Sequence, residues 1–117
     1  MALTKYVDAM PIPGVLKGRK IRNHKNCSRP RKSITFYRVK MEQIKQKLHR
    51  DLPMTTLWGY EGVYPGPTIE TKVGEKVKVL WENKLPPKPL LPVDTTIHGA
   101  QPPNPAVRTV VHLHGAS

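Results

Sequence analysis

The residues of this 117-residue chain with the clearest capacity for chemistry lie near its end, in Val110-Val111-His112-Leu113-His114-Gly115. On an extended backbone successive side chains point to opposite faces. Val107, Thr109, Val111 and Leu113 then share one face, while His112 and His114 share the other. Two imidazoles at i and i+2 are close enough to serve one metal ion or two adjacent ions, and neutral imidazole is the commonest metal ligand among side chains. Gly115 removes a side chain where the backbone would have to approach a bulky cluster. A His-x-His pair is equally the mark of two histidines on the solvent side of an edge strand. The spacing by itself leaves both readings open.

The remaining candidates read more plainly. His24 and Cys27 form His-x-x-Cys, but no second pair accompanies them, and a solvated loop is the simpler account. His49, before Arg50-Asp51, reads as a local hydrogen-bonding residue rather than a base. His98 sits in a proline-rich loop and is expected to be exposed. Trp58 and Trp81 read as core or interface anchors. No catalytic constellation and no cofactor-binding motif stands out. A single cysteine excludes an internal disulfide and a multi-cysteine zinc module.

The elements that would position these residues are extended. From Ile34 to Leu48 two periods compete: Tyr37, Val39 and Met41 alternate as on a strand, while Met41, Ile44 and Leu48 fall at helical spacing. Thr68 to Val73 predicts a half-buried strand with Ile69, Thr71 and Val73 inward, followed by a turn at Gly74-Glu75. Lys76 to Asn83 predicts another, with Val77, Val79 and Trp81 inward. Seven of the 13 prolines fall between Asn83 and Ala106, which predicts a long loop. Val107 to His114 predicts a last strand. No internal repeat is present.

Charge divides the chain. Its formal net charge is +12, yet residues 1–52 carry 14 Lys/Arg against 3 Asp/Glu and residues 53–117 carry 6 against 5. Residues 1–33 therefore read as an extended, basic leader, with 17–32 solvated, and residues 34–117 as the folded body. The leader lacks the interleaved aromatics that stack bases, so specific nucleic-acid binding is not expected. No stretch approaches the roughly 20 apolar residues of a membrane span. Met1 to Met10 lacks the apolar core of an export signal.

Several ordered blocks carry a resemblance. Lys5-Tyr6-Val7-Asp8-Ala9-Met10-Pro11-Ile12-Pro13, Leu48-His49-Arg50-Asp51-Leu52-Pro53 with Leu57-Trp58-Gly59-Tyr60, Tyr64-Pro65-Gly66-Pro67-Thr68-Ile69-Glu70 with Gly74-Glu75-Lys76-Val77-Lys78-Val79, and His112-Leu113-His114-Gly115 follow one another. In this order they resemble the first cupredoxin domain of multicopper oxidases, nearest to the spore-coat laccase branch and its bilirubin-oxidase-like relatives. The resemblance spans nearly the whole chain apart from about residues 15–33. It implies a mainly β chain, a partial cupredoxin-like Greek-key β-sandwich behind the basic leader, and it favours the strand reading of Ile34 to Leu48.

The resemblance also implies copper. His112 would hold the type 2 copper and His114 one of the type 3 coppers of a trinuclear cluster that reduces dioxygen to water with electrons from phenolic substrates. That cluster takes four His-x-His pairs and a cysteine-containing type 1 site. This sequence carries one such pair, and Cys27 lies between Asn26 and Ser28. The chain therefore reads as the front piece of a laccase-type enzyme, inactive alone. Its expected partners are the missing cupredoxin domains or other coat proteins, and its expected location is the spore coat or cytoplasm. The alternative is a small basic structural or binding protein, such as a coat component, without catalysis.

Overall fold

The computed structural model describes residues 3–22 and 33–115. Among these residues the regular elements are all strands: β1 (Arg19–Arg22), β2 (Ser33–Gln46), β3 (Thr55–Tyr60) and β4 (Lys76–Asn83). The chain divides into two compact units, Met1–Lys84 and Leu85–Ser117.

The first unit is organised by β2, which is 14 residues long. Its first half pairs antiparallel with β1, Arg19 facing Phe36 and Ile21 facing Ile34. Its second half pairs antiparallel with β3, Met41 facing Tyr60 and Ile44 facing Leu57. β4 runs parallel to it from Ile34↔Lys76 to Met41↔Asn83. Because residues 34–36 bond both β1 and β4, and Met41 bonds both β3 and β4, β1 and β3 share one edge of β2 and β4 holds the other. The sheet is mixed.

Alternation decides which face is inside. Thr35, Tyr37, Val39 and Met41 are buried, and the register sets Val79 against Tyr37 and Trp81 against Val39. Strand, not helix, is the outcome for this segment. Beyond Met41 the better-covered positions become Glu42, Ile44 and Gln46, so the covered side passes from odd to even residues. That change of phase is what mimics a helical i, i+3 spacing between Met41 and Ile44. In β4 the expected inward set holds for Val79 and Trp81, whereas Val77 is 36% exposed.

Three expectations are corrected. Thr68 to Val73 is not a strand: one parallel bridge joins Thr68 to Val15, held by Leu16 N–H to Thr68 O at 2.8 Å and Thr68 N–H to Gly14 O at 2.8 Å. Pro65 and Pro67 have no N–H to continue a ladder on one side. On the other side the chain turns at once, with Glu75 N–H bonding Lys72 O at 2.9 Å and Gly74 at φ 79°. Next, the basic run is not wholly solvated, since Arg19–Arg22 is a paired strand. Lys20 donates to Glu75 and, at 2.7 Å, to Thr35 Oγ1, and the Arg19 guanidinium lies 5.9 Å from the Phe36 ring centroid.

The third correction lies in the second unit. Val107 to His114 forms no strand, because no ladder partner is present among the described residues. Val110 and Leu113 are 88% and 76% exposed, so no face of this segment is buried. The proline-rich stretch before it is irregular, as expected, and is shaped by turns. In one, Asp94 Oδ1 accepts Thr96 N–H at 2.9 Å and Thr96 Oγ1–H at 2.7 Å.

Candidate metal centre

His112 and His114 are brought together. Their ring centroids are 6.0 Å apart with planes inclined at 79°. The two rings come near each other although the segment is not a strand and His114 lies in a turn. Both side chains are exposed. Gly115, at φ 75°, takes the turn that follows, and a Cβ there would meet nothing within 4 Å. Its role here is conformational rather than one of close approach. Two imidazoles at this separation suit one shared ion or two neighbouring ions, as far as donor chemistry goes. They do not complete a coordination shell: among the described residues no three His, Cys, Asp or Glu side chains converge on a common point.

The other candidates stay apart from this pair in role. His49 is a fastening residue. Its Nδ1 accepts Asp51 N–H at 3.1 Å, so Nε2 carries the proton and donates to Thr4 O at 2.9 Å. Next to it Arg50 N–H and Nε–H donate to the two carboxylate oxygens of Asp8 at 2.8 and 3.1 Å, and its guanidinium also donates to Val7 O. These bonds hold the Asp8 carboxyl below its ordinary range, the Arg50 backbone N–H contributing most. His98 is exposed in a turn. Trp81 meets Tyr60 edge-to-face at 5.5 Å, and Trp58 Nε1–H donates to Gln43 Oε1 at 3.4 Å, both anchoring roles. His24 and Cys27 lie outside the described residues.

Two polar groupings were not visible in the sequence. Glu75 receives hydrogen bonds from Lys20, from Thr35 Oγ1 and from the Lys72 backbone, which lower its pKa to about 2. Arg38 and Glu82 pair at 2.7 Å, and this contact moves the carboxyl down and the guanidinium up. The partners are separated by 55, 40 and 44 residues, so no local spacing could have disclosed them.

An all-strand sheet with a buried odd face on β2 and no helix among the described residues defines a partial cupredoxin-like β fold. Comparison with known proteins takes this further. The family model for multicopper oxidases matches residues 39–107. A laccase of Bacillus subtilis is 50% identical over 117 residues, an alignment covering 98% of this chain and 21% of that protein. A laccase of Bacillus stratosphericus is 53% identical with the same coverage, and a laccase of Haloferax volcanii is 38% identical over 97% of this chain and 20% of its own length. The chain belongs to the multicopper oxidase family and corresponds to about a fifth of the length of these relatives. Copper is the metal this membership implies.

Proposed function

We propose that this chain is the leading part of the first cupredoxin domain of a laccase-type multicopper oxidase, and that His112 and His114 each give one imidazole nitrogen to its trinuclear cluster. The observation that carries the reading is the proximity of the two rings, 6.0 Å between centroids. His112 would face the type 2 copper and His114 a type 3 copper. Bound copper supplies electron storage and dioxygen activation, with phenolic compounds as the electron source. The part of the chain is to hold two neutral imidazoles at fixed spacing; the other ligands and the electron-entry site come from the rest of the first domain and from the other cupredoxin domains. A place in a spore coat or in the cytoplasm, among those domains or other coat proteins, accords with this reading. No helix among the described residues is long and apolar enough to cross a membrane.

The test uses the full chain with and without a second polypeptide carrying the rest of a laccase. The chain alone is expected to oxidise no phenol. The mixture is expected to take up copper and oxidise phenol, and His112→Ala or His114→Ala in this chain is expected to abolish both. Copper uptake unchanged in both variants would refute the ligand assignment. A mixture that neither binds copper nor oxidises substrate would favour the non-catalytic, structural alternative.

A further inference from the structure

The even-numbered face of the sheet is not an ordinary solvated face. Side chains directly opposed across a ladder share a face, so Phe36 and Arg38 stand beside Lys78 and Leu80 of β4, with Arg19 of β1 next to Phe36. Arg19, Phe36, Arg38 and Leu80, together with Lys17 and Lys40, line a shallow basin of about 710 Å³, and Lys78 lies outside its lining, across the ladder from Phe36. Phe36 and Leu80 contribute apolar surface to it, Leu80 being left 46% exposed. Lys76 lies on the same face at the end of β4.

The charges around this basin are unbalanced. The Arg38 guanidinium is engaged by Glu82, but no ion pair joins Lys17, Arg19, Lys76 or Lys78 to a carboxylate of the described residues. The two carboxylates in the basin are already used in part: Glu82 by Arg38, and Glu61 by the backbone N–H of Lys40 at 2.6 Å. Glu82 Oε2 is buried and accepts no hydrogen bond within the described residues.

From this combination we infer that the even face of the sheet docks an acidic peptide segment with an apolar anchor, presented by a partner protein. Cations on the rim meet its carboxylates, and Phe36 and Leu80 receive its anchor. One feature separates a peptide from a phosphate polyanion: Phe36 and Leu80 offer an apolar side chain a seat and give a phosphate backbone nothing. The inference does not depend on copper.

The test is titration of the full chain with an eight-residue peptide of glutamates around a central Phe-Leu pair, read by fluorescence anisotropy at two salt concentrations. Binding is expected, weakening as salt rises. Arg19→Glu with Lys78→Glu is expected to weaken it by about tenfold or more, while Lys5→Glu with Lys47→Glu, an equal change in net charge at residues of the same unit outside this basin, leaves it nearly unchanged. Leu80→Ser is expected to weaken binding of this peptide but not of an all-glutamate peptide of equal length. Should the double variant lose its β circular dichroism, Lys78→Glu alone decides. Equal losses in the two double variants, no effect of Leu80→Ser, or tighter binding of duplex DNA than of the peptide would each overturn the inference.

Discussion

Truncating Val39 should reveal whether the odd face of the sheet is a core in its own right. Val39 is 3% exposed, faces Trp81 across the parallel ladder and lines an apolar cavity of about 250 Å³ together with Tyr60, Pro67 and Ile69. Val39→Ala removes two buried carbons at about 0.8 kcal/mol each, a transfer loss of about 1.6 kcal/mol. An enclosed void would add roughly 24 cal/mol per Å³, but here the vacated volume opens into a cavity that already exists, so this contribution is small. The expected loss is therefore about 1.5–2 kcal/mol. Val73→Ala is the matched control: the same carbons are removed from a fully exposed side chain, and the change should stay within about 0.5 kcal/mol. Urea unfolding of the full chain followed by tryptophan fluorescence reads both, since Trp81 abuts the substituted position. Equal losses for the two variants would refute the burial argument. A parent chain with no cooperative transition would refute the view that this face is a core of its own.

Acid should weaken the chain through Glu75. Its folded pKa, about 2, lies below the ordinary value of 4.5, so the unfolded state binds more protons between those limits and stability falls as pH drops from about 4.5 to 2. Glu75→Gln should flatten that part of a denaturation-versus-pH profile, and an unchanged profile would show that Lys20 and Thr35 do not stabilise the ionised carboxylate. Gly74→Ala should cost roughly 1–2 kcal/mol, since φ is 79° and no neighbour obstructs a Cβ, leaving only backbone strain to be read in urea. A double-mutant cycle on Tyr60 and Trp81 should return a coupling of about 0.5–1.5 kcal/mol for the edge-to-face contact, and a coupling near zero would contradict it.

Sequence and structure agree where the deciding physics is local. Alternation in Tyr37, Val39 and Met41 reports a pleat whose period is two, and the turn at Gly74 needs only a residue tolerant of positive φ. The sequence expected His112 and His114 to meet through a strand; the rings do lie 6.0 Å apart, but the segment is not a strand and His114 sits in a turn. Agreement fails where a strand requires a partner. Thr68 to Val73 and Val107 to His114 alternate correctly, yet alternation states only which face would be buried, and a ladder forms only if another backbone arrives with free donors and acceptors. At Thr68 the partner is Val15, and it supplies a single bridge.

The basic leader gives the converse case. Its charge suggested a solvated run, whereas Arg19–Arg22 is a strand paired with β2, and Glu75, 55 positions away, neutralises Lys20. The ordered blocks of residues were sufficient by themselves to place the chain among multicopper oxidases, since each block is a contiguous string. Tertiary structure alone decided which strands pair, in which direction, and which cations and apolar side chains gather on the even face. Those outcomes depend on register between segments distant in sequence, and register is a property of the folded sheet rather than of any one strand.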